Sequence, residues 1–94
     1  VKRNARNDAR VAAVIGRASA LAVENDLAVS GGVMPDGEQR FTATLPSGQS
    51  IRVESIGGGV GWASYRRNAG QDHWRYCPLA QLERLVAGVK TSAQ

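Results

Sequence analysis

The chain has 94 residues, so one domain with one thin core is expected. At this size only about 60–65% of the unfolded surface is buried, which leaves no room for a second domain and its cleft. Apolar residues make up 43% of the chain and are mostly Ala and Val, a supply that suits close helix–sheet packing. The single cysteine, Cys77, excludes an intramolecular disulfide. No run of about 18 apolar residues is present, so no membrane span is expected and a cytoplasmic protein is the default.

The net charge is +4, and ten of the twelve cations are arginine. Arginine dominance suits bidentate recognition of phosphate or carboxylate. It is equally the mark of a GC-rich genome, and a first residue of Val fits a GTG start in a bacterial or phage gene. The charge is uneven. Residues 1–17 hold Lys2, Arg3, Arg6, Arg10 and Arg17 against Asp8. Residues 18–54 are acidic, with Glu24, Asp26, Asp36, Glu38 and Glu54 against Arg40 and Arg52. Residues 55–75 turn basic again through Arg66, Arg67 and Arg75 against Asp72.

In chain order, residues 1–6 read as a basic arm leading into a helix over about 8–26. Asn4 or Asn7 caps it, and Asn25 is a left-handed stop. Val11, Val14, Ile15, Ala18 and Ala22 recur at helical spacing and form its apolar stripe. Strands follow: Val29 to Met34, then Phe41 to Leu45, then Ile51 to Glu54. Pro35-Asp36-Gly37 and Pro46-Ser47-Gly48 supply the turns. If Leu45 opposes Ile51, then Phe41, Ala43, Leu45, Ile51 and Val53 share the core face. Thr42, Thr44, Arg52 and Glu54 then share the other.

The glycines between Gly57 and Gly61 read as a connection. They precede a strand and lack a following Lys-Ser/Thr, so neither phosphate-loop nor dinucleotide-binding patterns are met. A fourth strand is expected over 61–67 and a fifth over 73–77, joined by Asn68-Ala69-Gly70. Pro78 opens a closing helix whose face carries Leu79, Leu82, Val86 and Val89, with Leu85 adjoining. Residues 91–94 fray. That helix either completes a monomer core or pairs with a second copy. The predicted fold is α+β over residues 1–94: an N-terminal helix, an antiparallel sheet of four to five short strands and a C-terminal helix on one face.

Two clusters are candidate binding residues. Arg3, Arg6, Arg10 and Arg17 fall within about 60° of one another on a helix and span about 21 Å. Cations near a helix N-terminus oppose its dipole at about 0.3–1 kcal/mol each, so structure alone gains nothing from them there. Their plain alternative is a solvated face whose stems cover apolar surface. The second cluster is Trp62, Tyr65, Arg66, Arg67 and Arg75, aromatics interleaved with arginine as in surfaces that stack unpaired bases and hold phosphates. By strand parity Trp62, Ser64 and Arg66 face one way and Tyr65 and Arg67 the other, and Trp74 and Tyr76 are expected in the core.

His73 and Cys77 would lie about 13 Å apart along a strand, too far for a dyad. One His and one Cys do not make a zinc site. A non-enzymatic module without cofactors is therefore expected, contacting nucleic acid or a nucleoprotein. Four arginines on duplex phosphates would give a log K against log salt slope of about −3.6. The competing expectation is a phage- or plasmid-type inhibitor of a host defence complex, similar in kind to anti-CRISPR proteins. There Asp36, Glu38 and Glu54 would imitate nucleic acid toward a host protein.

Overall fold

The computed structural model describes residues 5–33, 39–56 and 61–88. The expected α+β architecture is observed. α1 (Ala5–Glu24) leads into five antiparallel strands, β1 (Val29–Val33), β2 (Gln39–Thr44), β3 (Ser50–Ile56), β4 (Gly61–Arg67) and β5 (Arg75–Tyr76), and α2 (Leu79–Ala87) closes the chain. The strands pair in sequence order as a meander, which needs no crossover connection.

Both helices contribute to the core that covers one face of the sheet. Val11, Val14, Ala18, Leu21 and Ala22 of α1 are buried against Phe41, Ala43, Leu45, Ile51 and Val53, and Leu82 and Val86 of α2 complete the cluster. Leu21 extends the predicted α1 stripe. Removing these side chains from water, at about 1.5–3 kcal/mol for each large one, drives the helices onto this face. The predicted five-residue core set of β2 and β3 is the observed one, but its register differs. Ala43, not Leu45, opposes Ile51, while the Leu45 amide bonds to the Gln49 carbonyl at 2.7 Å. A shift of two residues keeps every side chain on its face, so alternation alone cannot detect it.

The end of α1 is also corrected by one residue. Asp26, at φ 56°, is the left-handed residue rather than Asn25. The Leu27 amide reaches the Ala22 carbonyl at 2.8 Å and the Asp26 amide reaches Val23 at 3.2 Å, the paired bonds of a Schellman stop. Leu27 then packs on the core, and the Asn25 side-chain amide donates to the Leu21 carbonyl at 2.8 Å. Asn7 lies inside α1 rather than capping it.

At the other end of the sheet, Gly48 takes φ 91°, and a Cβ there would stand 3.0 Å from the Cβ of Ala69. The turn between β2 and β3 therefore rests on the turn between β4 and β5. The Gln49 side-chain amide fastens the two by donating to Asn68 Oδ1 at 3.1 Å. Gly70, at φ 77°, makes the second turn as expected. The fifth strand covers two residues instead of five, because only Tyr76 and Arg75 find ladder partners, in Tyr65 and Arg66. Pro78 is the N-cap residue just before α2 rather than a member of its first turn. Asn4, Met34, the Pro35-Asp36-Gly37 turn, Gly57 to Val60, Val89 and the tail over 91–94 lie outside the described residues. No helix of the described residues is long and apolar enough to cross a membrane.

Candidate nucleic-acid interface

The helices leave the second face of the sheet open, and register assigns its side chains. Thr42, Arg52, Tyr65 and Tyr76 form one cross-strand row, with Ser30 at its β1 end. Thr44, Ser50 and Arg67 form the next row, and Arg40, Glu54 and Ala63 a third. Trp74, just before β5, lies against this face. The Arg52 guanidinium carbon sits 4.3 Å from the centroid of its ring system and that of Arg67 4.7 Å. Ser50 points the same way yet is buried beside its register partner Arg67, within hydrogen-bonding distance of Thr44 Oγ1 at 3.3 Å.

The expectation that Trp74 and Tyr76 belong to the core is therefore overturned. Tyr76 is 71% exposed and Trp74 is half-buried among arginines. Trp62 is the tryptophan that packs on the core. Its indole N–H donates to Asp8 Oδ1 at 2.8 Å, joining β4 to the first turn of α1. The helices fill the covered side with Ala, Val and Leu against Phe41, Ile51 and Val53 of the sheet, and Trp62 fits at its rim because its one polar atom meets a carboxylate.

The arginines divide among three situations. Arg10 is taken by α2, its Nε donating to Glu83 Oε2 at 3.0 Å and its Nη2 to Oε1. This bidentate pair raises the Arg10 pKa and lowers that of Glu83, in each case chiefly through the hydrogen bond. Arg40 is held by Glu54 at 3.4 Å, which also engages one member of the acidic middle. Asp36 and Glu38 lie outside the described residues. Arg52, Arg66, Arg67 and Arg75 make no ion pair with any described carboxylate.

Of the predicted basic stripe, Arg3 lies outside the described residues and the Arg6 side chain is likewise not described. Arg17 is exposed beside Val14 and Val86 in the groove between the helices. α1 and the open face are on opposite sides of the sheet, so the predicted basic stripe does not join Tyr65 and Arg67 in one surface. The second cluster is itself split. Tyr65 and Arg67 face the open side, and Trp62, Arg66 and Arg75 face the helix side.

Three residues of the open face were not among the predicted binding residues: Arg52, Trp74 and Tyr76. Arg52 was recognisable as lying opposite Ile51 and Val53. Only the β3–β4 register puts it beside Tyr65.

Cys77 is buried, and burial pushes its thiol pKa up while the charge of Arg66 pulls it back. Its amide bonds to the Ser64 carbonyl at 2.9 Å and its carbonyl accepts from Ser64 Oγ, so the residue fastens β4 to the α2 connection. His73 is exposed in the preceding loop. No group of metal-ligating side chains occurs among the described residues. The concavities between helices and sheet measure 140 Å³ beside Asp8 and Trp62 and 260 Å³ beside Ile15 and Phe41. Both fall below the range of about 300–1,000 Å³ usual for small-molecule sites. Compared with protein-family models, curated proteins and solved structures, the chain matches none.

Proposed function

We propose that this protein is a small nucleic-acid-binding module that works through the open face of its sheet, with Arg52, Tyr65, Arg67, Trp74 and Tyr76 as the contact residues. One observation carries the proposal: two arginines without a described carboxylate partner lie against one indole on a face the helices leave uncovered. A guanidinium resting against a ring can still offer N–H groups to phosphate oxygens, and the contact pre-orders a side chain that otherwise loses rotamer freedom on binding. Tyr76 and Tyr65, directly opposed across β4 and β5, offer ring surface to bases. No bond to a base edge is required, which suits a sequence-tolerant binder of unpaired nucleotides more than a reader of the major groove. The α1 arginines have a smaller part than their sequence pattern implies, because Arg10 is already neutralised by Glu83 on the far side of the sheet.

The test is titration of oligonucleotides with tryptophan emission as the signal, using Trp62→Phe so that Trp74 alone reports. Emission should change on binding, and affinity should fall with added salt by about 0.7 log units per log unit for each phosphate neutralised. Read instead by the anisotropy of a labelled oligonucleotide, Trp74→Ala and Tyr76→Ala should each weaken binding by about 1–3 kcal/mol. Affinity that ignores salt, or no complex at low salt, overturns the proposal. So does recovery from cells of a protein complex that survives nuclease treatment, with no nucleic acid retained.

A further inference from the structure

Arg66 and Arg75 are register partners across β4 and β5. They share the helix side of the sheet, since Arg66 also opposes Ile51, whose side chain is in the core. Like charges directly opposed on one face destabilise a strand pair. Neither arginine is relieved by a described carboxylate, although Arg10 and Arg40 both are. Arg75 is exposed and Arg66 half-buried, and β5 is an edge strand only two residues long. The same two strands carry Tyr65 opposite Tyr76 on their other face. One rim of the sheet thus has cations on one side and aromatic rings on the other.

We infer that Arg66 and Arg75 clamp phosphates of a single-stranded nucleic acid that bends over the β5 edge, its bases resting on the tyrosine face. This rests on the function proposed above and names the ligand class. A polyanion that reaches both sides must turn within the thickness of one sheet. Duplex DNA, with a persistence length of about 50 nm, does not make that turn, whereas a single strand does. Paired guanidiniums match the oxygens of phosphate, and a bound phosphate removes the repulsion between them. The pair therefore costs stability in the free protein and recovers it in the complex.

The experiment compares wild type with Arg66→Gln/Arg75→Gln, using oligothymidylates of about 4 and about 12 nucleotides, a duplex matched to the longer one, and thermal unfolding without ligand. With the longer strand, the salt slope of the double variant should be shallower by about 1.4, so the gap from wild type widens about 25-fold for each tenfold fall in salt. The short strand, which the open face accommodates alone, should bind both proteins equally, and the ligand-free variant should melt higher than wild type. Arg75→Gln alone, at an exposed position, should reproduce half the slope change if the double variant folds poorly. An unchanged slope while wild type binds the longer strand overturns the clamp and leaves the open-face function standing. Failure of wild type to bind either strand removes both. Duplex bound as tightly as the longer strand, with equal dependence on the two arginines, overturns the bending. A double variant that folds but melts below wild type overturns the assignment of the pair to ligand rather than structure.

Discussion

The two faces of the sheet draw on the same five strands and differ in what neutralises them. On the helix side, the polar groups beside the core find fixed partners: Trp62 donates to Asp8, Ser64 to Cys77, the Gln39 amide to Ser55 Oγ, and Arg10 bridges α1 to Glu83 of α2, whereas Arg66 and Arg75 at the β5 rim pair with no described carboxylate. On the open side, Arg40 has Glu54, but Arg52 and Arg67 have only the ring of Trp74. Burial demands that polar groups be satisfied within the chain, and on the open side Arg52 Nε is buried without a described hydrogen-bond partner. Arginines left without a described carboxylate, rather than charge counted along the sequence, are therefore the positions at which to test for a ligand.

That contrast can be broken at several points. The largest effect belongs to the covered face. Leu21→Ala removes a fully buried side chain shared by α1 and the sheet, and should cost about 2–5 kcal/mol in denaturant unfolding. Next, Trp62→Phe keeps most of the ring but loses the bond to Asp8, and should cost about 1–2 kcal/mol while leaving the open face intact. Trp74→Ala removes two cation–π contacts worth about 0.5–1 kcal/mol each, so stability should fall by about 1–2 kcal/mol at most. Its loss of oligonucleotide affinity should exceed that of Trp62→Phe. The reverse order would mean that the covered face carries the binding.

The smallest effect concerns Glu83. Its carboxyl is held below the ordinary range in the folded chain by Arg10, so the pair stabilises the fold above the unfolded carboxyl pKa. The contribution is lost as pH falls through the lowered folded value. Glu83→Gln should therefore melt slightly below wild type at neutral pH. The two curves should converge in acid, and a gap that persists at low pH would assign the effect to packing. The pair is partly exposed, so added salt should shrink the gap as well.

Much of the fold was legible because the signals were local and redundant. Phe41, Ala43, Ile51 and Val53 alternate with polar residues, and all four prove buried. Val11, Val14, Ala18 and Ala22 recur at helical spacing and are buried as well. Gly48 and Gly70 stand where the chain needs positive φ. The candidate interface was legible only in part. The sequence points to Tyr65 and Arg67, but it gives Arg52 only a place on the face opposite Ile51 and Val53 and directs Trp74 and Tyr76 to the core. A tryptophan in a chain poor in large residues is a natural core candidate. Here the Ala, Val and Leu of two helices fill the core, and one indole at its rim completes it.

By itself the sequence determined the kind and order of the elements and which residues of each strand travel together, because helical and extended periodicities depend on backbone geometry alone. Tertiary structure decided which set meets the helices wherever both sets are mixed. On β4, Trp62, Ser64 and Arg66 compete with Ala63, Tyr65 and Arg67, and neither set is apolar enough to dictate the outcome. The choice follows from pairing with β3, whose Ile51 and Val53 commit their neighbours to the covered side. It brings Arg52, Arg67 and Trp74 together, and no spacing along the chain encodes that meeting.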